Sequence, residues 1–224
     1  LLLPGDGIGP EIADAVERVL DGLEHVHPIG IEVERGMIGL ESLRTDGITL
    51  SEATFGRASA ADGVILGPVS TADYPPPAQG GLNPSAEVRR RLDLYANIRP
   101  SRTRTGVRSL AASMDLVIVR ENTEDLYAGL EHEVVPGVVE SLKIITERAS
   151  TRIARFAFDH ARRYGRRRVT AIHKANIMKL SDGLFLDSTR AVARDYTDIT
   201  YDERIVDAAC MHLVMAPEKL DVLL

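Results

Sequence analysis

The chain has 224 residues, a formal net charge of −6, 44% hydrophobic and 27% charged side chains, and one cysteine, Cys210. That length accommodates one large or two modest domains and a real core. The acidic balance argues against general nucleic-acid binding, and a lone cysteine excludes an internal disulfide framework and fits a reducing compartment. The sequence holds no apolar run long enough to cross a membrane and no secretory signal. Neither nucleic acid nor membrane is therefore an expected partner, and the cytoplasm is the expected compartment.

Residue 1 is leucine, and residues 1–3 (LLL) read as the tail of a strand already under way. Residues 221–224 (DVLL) read as a strand just beginning, so a fragment of a longer protein is expected. After the first strand comes the loop GDGIGPE at 5–11, then a helix with Pro10 in its first turn. Ile12, Val16, Val19, Leu20 and Leu23 share one face of that helix. Residues 31–35 are a candidate strand, 51–60 a short helix, and 63–68 (GVILGP) a buried strand ending in a turn. This alternation of strand and helix predicts an open α/β sheet.

Residues 70–82 are a Pro/Gly-rich loop. Asn83 is a good N-cap and Pro84 a good first helical residue, so a helix is expected to about residue 94. Residues 96–98 form a short strand ending at Arg99-Pro100, and 101–109 are a candidate crossing between domains. The apolar run 116–119 (LVIV) reads as a buried strand. It runs directly into Arg120-Glu121-Asn122-Thr123-Glu124-Asp125-Leu126-Tyr127. That mixture suits a site that grips a carboxylate and moves a proton. Residues 138–146 look strand-like and are a candidate arm. A strong helix follows over 147–164, then a strand at 168–173 that delivers His173-Lys174-Ala175-Asn176. Ser181 is placed as the cap of the next helix, and 205–214 is mixed. There is no internal repeat.

Several constellations carry chemistry. The 5–11 loop has the glycine content of a dinucleotide-binding turn, but its spacing is G-x-G-x-G followed by proline, not G-x-G-x-x-G. A tight strand-to-helix turn and a ligand-lining loop are equally compatible with it. Arg89, Arg99 and Arg120 sit where elements meet loops, and arginine grips carboxylates in a bidentate fork. Arg89-Arg90-Arg91 and Arg166-Arg167-Arg168 show that surface arginines are also plentiful. Tyr127 and Lys174 are candidate proton carriers, against a half-buried aromatic and a solvated turn lysine. Asn176 orients the lysine or caps the turn. Asp207 is a helix cap or a hard-metal ligand, and spacing alone favours the cap. The histidines show no zinc spacing, and Cys210 has no histidine partner marking a nucleophile.

Taken together, GDGIGPE (5–11), LDLYANIRP (92–100), RENTEDLYAGLEH (120–132), the segment 138–164, HKANIMKLSDGLFL (173–186) and IVDAACMHLV (205–214) resemble the β-decarboxylating dehydrogenase family. That family comprises isocitrate, 3-isopropylmalate, homoisocitrate and tartrate dehydrogenases. The matches follow the family's order over nearly the whole chain, and two of the segments look most like NAD-dependent isocitrate dehydrogenases. The resemblance implies a two-domain α/β fold of the isopropylmalate-dehydrogenase type, incomplete at the C-terminus. A first domain at 1–99 lies on the cofactor side, and a second at 100–224 carries a dimerisation arm near 133–146. It implies oxidative decarboxylation of a 2-hydroxy-3-carboxy acid with NAD, or alternatively NADP, as hydride acceptor and Mg²⁺ or Mn²⁺ as the metal.

Carried over by motif position, Arg89, Arg99 and Arg120 would clamp carboxylates, with Asn83, Ser85 and Asn176 also facing substrate. Lys174 would be the base and Tyr127 the acid. Ile8 would line the cofactor, and Asp207 would ligate the metal. Because the family's lysine and aspartate serve the partner subunit's site, the resemblance implies a homodimer. Polar Asn83 and Ser85 suit a third carboxylate better than an isopropyl group, which favours isocitrate over 3-isopropylmalate, homoisocitrate or tartrate. The family's further metal carboxylates and its adenosine loop fall outside these residues, so the chain alone is expected to be inactive. A non-catalytic regulatory subunit and a phosphate- or nucleotide-binding module are the rival readings.

Overall fold

The computed structural model describes residues 1–224 and divides into two compact units, Leu1–Asp93 and Leu94–Leu224. The expected boundary after Arg99 falls inside a continuous strand, β3 (Ala96–Arg102). All seven of its residues pair with the next strand, so the division comes earlier, where no ladder is cut.

In the first unit, β1 (Leu2–Leu3) pairs in parallel with β2 (Ile65–Leu66). Around them run α1 (Gly9–Val26), α2 (Leu40–Asp46), α3 (Glu52–Ala60) and α4 (Pro84–Arg91). Ser51 caps α3 and Asn83 caps α4, each accepting a backbone N–H in the first turn. The expected strand at 31–35 is reduced to a single bridge between Leu2 and Arg35, while α2 was not anticipated. The expected core face of α1 is largely solvent-exposed: Ile12, Val19 and Leu23 are all open, and only Gly9 and Ala13 are buried. A sheet of two short strands offers that face too little surface to pack against.

The second unit is built on one sheet with the order β3-β4-β9-β7-β8. Its strands are β3, β4 (Asp115–Glu121), β7 (Arg168–His173), β8 (Thr200–Ile205) and β9 (Val222–Leu223). β3 is antiparallel to β4, and the remaining pairs are parallel. The terminal strand β9 lies at the centre of this sheet. Alternate residues face opposite sides. Val117, Val119, Val169 and Val222 pack on Ile153, Ala157, Phe158 and Ala161 of α5 (Glu147–Arg163) and on Val192 of α6 (Ser181–Ala193). Leu116, Ile118, Ile172 and Leu223 pack on the other side with Leu213 of α7 (Val206–Met215). β8 was not anticipated; its charged residues 202–204 (DER) pair along β7. Ser181 is the first residue of α6 and makes no capping bond, the cap position being Leu180.

The segment expected as an arm is an exposed antiparallel hairpin, β5 (Glu131–Val135) and β6 (Val138–Ser141). Val134, Val135, Val138 and Val139 are all solvent-exposed on it. No helix is long and apolar enough to cross a membrane.

Candidate active site

In the first unit, the 5–11 loop is shaped by close backbone approach. Gly5 has φ +77°, and a Cβ there would lie 2.0 Å from the Pro68 carbonyl oxygen. Asp6, 6% exposed, gathers three neighbouring segments. Its carboxylate accepts the Leu40 N–H at 2.7 Å, the Ser70 N–H at 2.9 Å and the Tyr74 hydroxyl. Burial and the adjacent Asp6 carboxylate push the Tyr74 phenol up. Ile8 is exposed at the tip of this loop. The loop is thus a tight turn in its glycines and leaves one side chain free to meet a ligand.

On α4, Asn83 Oδ1 accepts the Ala86 N–H at 3.1 Å, so the acceptor of that amide is committed to the helix end. Ser85 is buried. The neighbours of Arg89 are used locally: Arg90 pairs with Glu87 at 2.7 Å, and Arg91 grips Glu52 at 2.7 Å and covers the Phe55 ring. Arg89 takes no such partner and remains available to an anion.

In the second unit, β3 and β4 present Asn97, Arg99 and Arg120 on one face. Asn97 lies opposite Arg120, and Arg99 opposite Ile118. Arg120 donates from Nη1 to the Tyr127 hydroxyl at 2.8 Å and from Nη2 to Asn122 Oδ1 at 2.9 Å. Its guanidinium carbon lies 4.5 Å from the Tyr127 ring centroid, and its Nε is buried without a partner. Asn122, 8% exposed, donates to the Leu94 carbonyl at 3.1 Å. Asn97 Nδ2 approaches Asn122 Oδ1 at 3.5 Å, and Asn97 Oδ1 accepts from Arg99 Nε at 3.0 Å. Two side-chain amides therefore connect the two guanidinium groups expected to grip carboxylate. Neither amide was singled out from the sequence, although each lies two residues from its arginine.

The carboxylates of the 120–127 run have a different task. Glu121 accepts the N–H groups of Thr123 and Glu124 at 2.7 and 2.8 Å. Glu124 accepts the Thr146 N–H at 2.9 Å and its hydroxyl at 2.6 Å, and Thr146 in turn caps α5. Asp125, at φ +64°, accepts the Leu126 N–H at 2.8 Å. All three acids fold the turn, which leaves Arg120 and Tyr127 facing outward from it.

Lys174 follows β7, and its ammonium is ion-paired with Asp207 in the first turn of α7. Asp207 makes no capping bond, and its side chain is exposed. The cap that spacing favoured is absent because Ile205 occupies the cap position. Asn176 is exposed beside Lys174. Nowhere do three or more His, Cys, Asp or Glu side chains converge as a metal site. Asp207 offers one hard oxygen ligand, whereas Mg²⁺ is held by several oxygens; the residues present do not make a complete site. A cavity of about 340 Å³ in this unit has Arg120, Tyr127, Lys143 and Asp182 on its walls and Ile153, Phe185 and Leu223 among its apolar lining.

Residues 1–224 match the model of the isocitrate/isopropylmalate dehydrogenase family. The chain belongs to that family. It is 45% identical over 223 residues to the NAD isocitrate dehydrogenase catalytic subunit 5 of Arabidopsis thaliana, covering 99% of this chain and 57% of the relative. It is 43% identical to regulatory subunit 1 of the same plant enzyme, covering 99% and 57%. It is 44% identical to the chloroplastic 3-isopropylmalate dehydrogenase of Solanum tuberosum, covering 99% and 60%. The crystal structure of isocitrate dehydrogenase from Methylococcus capsulatus matches with a TM-score of 0.88 and 40% identity, covering 99% of this chain and 64% of that one. The α/β fold is the family's, and the chain spans less than two thirds of the length of these relatives. The cytoplasmic expectation is not upheld: the isocitrate dehydrogenase subunits matched carry mitochondrial names. A single cysteine does not separate one reducing compartment from another.

Proposed function

We propose that the whole protein oxidises and decarboxylates a 2-hydroxy-3-carboxy acid, isocitrate to 2-oxoglutarate, with NAD as hydride acceptor and NADP as the alternative. The observation that supports this most directly is the Arg120–Tyr127 hydrogen bond. It places a fixed cation and a proton donor together, with Arg99 tied to the same amide pair. A bidentate arginine holds a substrate carboxylate as a fork, and a phenol within reach of that substrate can supply a proton.

In this reading, Lys174, contributed by the second copy of the chain and in its neutral amine form, takes the proton of the C2 hydroxyl as hydride leaves C2 for the nicotinamide. The β-keto acid then breaks its bond to the C3 carboxylate, releasing CO₂ and leaving the electron pair as an enolate. Tyr127 delivers the proton that completes the 2-oxo acid. Arg89, Arg99 and Arg120 hold the carboxylates, Ser85 and Asn83 receive the third carboxylate, Asn176 orients Lys174, and Ile8 lines the dinucleotide. Asp207 would contribute one oxygen to a Mg²⁺ or Mn²⁺ ion, which would supply charge stabilisation for the enolate. The domains follow the family's two-domain plan. The exposed valine-rich hairpin is the proposed seat of a homodimer.

Overall identity does not choose among the relatives, because catalytic, regulatory and isopropylmalate-type proteins match equally well. The presence of Arg99, Arg120, Tyr127, Lys174 and Asp207 supports a catalytic rather than a regulatory reading, and polar Asn83 and Ser85 favour isocitrate over 3-isopropylmalate. Turnover of the full-length gene product is the test, against isocitrate, 3-isopropylmalate, homoisocitrate and tartrate. Isocitrate is expected to be the best substrate, and activity on 3-isopropylmalate alone would overturn the reading of Asn83 and Ser85. Arg120→Lys should lower kcat/KM about 10- to 100-fold by losing charge-assisted hydrogen bonds. The isolated 224-residue chain is expected to be inactive, and normal turnover by it would sink the proposed metal ligand set.

A further inference from the structure

We propose that Lys143 and Asp182 are positioning residues that fix the turns carrying Tyr127 and Lys174. The inference rests on reading those two side chains as proton carriers. Asp182 lies in the first turn of α6 and is 5% exposed. It does not cap its own helix. One carboxylate oxygen accepts the Lys174 backbone N–H at 2.5 Å, and the other accepts the Lys143 ammonium at 2.5 Å. The Lys143 ammonium also lies 4.0 Å from Asp125. Asp125 is the residue that turns the chain toward Tyr127, and its backbone N–H donates to the carbonyl of Ile144, next to Lys143, at 2.8 Å. Lys174 itself is held on its other side, its carbonyl accepting from Ile177 at 3.0 Å and Met178 at 2.9 Å.

One lysine thus joins two turns that are 47 residues apart in sequence, counting from Tyr127 to Lys174. Stability is a poor explanation for this arrangement. A buried ion pair costs much of its attraction in desolvation, and an apolar replacement of both partners is often neutral. Geometry is a better one, because a misplacement of about 1 Å at a reacting group can cost roughly 100-fold in rate. Neither Lys143 nor Asp182 touches a reacting atom in this scheme; both act through the backbone they hold.

The test uses two readouts. Amide hydrogen exchange is measured by NMR on the purified chain, and kcat and KM on the full-length gene product. The variants are Asp182→Asn and the double replacement Lys143→Met with Asp182→Leu, which leaves no unpaired buried charge. In the folded double variant, exchange should speed up at least about tenfold at Lys174 and across residues 125–128 and stay unchanged along α5. kcat should fall about 10- to 100-fold with KM held within about twofold. Unchanged exchange at both turns, or exchange that rises equally along α5, would overturn the proposal. The proton-carrier reading fails separately: localised exchange with wild-type turnover in Lys174→Ala and Tyr127→Phe enzymes would uphold the anchoring and sink the roles of the two side chains.

Discussion

The two units solve the problem of holding a site by different means. In Leu94–Leu224 a five-stranded sheet is covered on both faces, and α5 buries Ile153, Ala154, Ala157, Phe158 and Ala161 against it. In Leu1–Asp93 the sheet is two strands of two residues each, and α1 leaves most of its apolar side chains in solvent. That unit buries Leu2, Leu3, Ile38, Leu50 and Val88 and adds buried polar groups to them. Asp6 binds three segments, and Thr49, 0% exposed, donates to the Leu82 carbonyl at 2.7 Å. Ser42, also 0% exposed, donates to the Ile48 carbonyl at 2.7 Å. A broad sheet lets apolar periodicity set the architecture, whereas a narrow one hands that task to individual hydrogen bonds. These bonds are specific and individually costly to lose.

The sharpest way to break this contrast is to remove the largest buried side chain of the second unit. Phe158→Ala should destabilise that unit by about 3–5 kcal/mol, read by urea unfolding with residue-resolved hydrogen exchange. Protection within the first unit should be unaltered. Next comes Asp6→Ala, which strands two backbone N–H groups and a phenol. It should cost the first unit about 3 kcal/mol, with the greatest loss of protection at Leu40 and Ser70. If Asp6→Ala leaves the first unit's midpoint in place, the polar-clamp account of that unit is wrong. A smaller effect is expected at the join between the site turn and α5. Thr146→Ala should cost about 1 kcal/mol as a lost cap, with faster exchange at Ala149.

How far the sequence carried the reading follows the same division. The apolar run 116–119, the strand at 168–173 and the periodic helix at 147–164 were legible because a sheet and its covering helices obey periods of two and 3.6. β8 was hidden because its residues 202–204 (DER) are charged. Those charges are paired: Arg190 grips Glu203 at 2.6 and 2.7 Å in a fork, and Asp202 accepts the Thr170 hydroxyl. The helix at 10–26 was legible as a helix but not as an exposed one, since periodicity reports a face and not what covers it. At the site, Arg120, Tyr127 and Lys174 stood out as unusual residues at strand ends. Asn97, Asn122, Lys143 and Asp182 did not, because they act on backbone and on other side chains, and no short motif marks such a partner. The three acids of the 120–127 run show the converse. They looked chemical and prove to be structural: Glu121 and Asp125 accept local N–H groups, and Glu124 ties the turn to Thr146 at the start of α5.

The smallest expected effect concerns a histidine on the second unit's main helix. His160 lies in an aromatic ladder, 6.2 Å from the Phe156 ring and 4.4 Å from that of Tyr164. Burial first, then the charges of Arg166 and Arg163, hold its pKa below the ordinary 6.5. The folded state therefore binds fewer protons at this site than the unfolded state as pH drops below 6.5. The neutral ring is no burden above that pH, and stability is lost as pH falls through the folded-state value. His160→Phe keeps an aromatic in the ladder and removes the titration. The variant should match the parent's stability above pH 7 and lose less of it on acidification below about 6.5, measured by urea midpoints across that range. An acid limb as steep as the parent's would assign the pH sensitivity to the carboxylates that arginines hold below their ordinary range, Glu203 beside Arg190 and Asp115 beside Arg166. It would leave the ladder with packing as its only role.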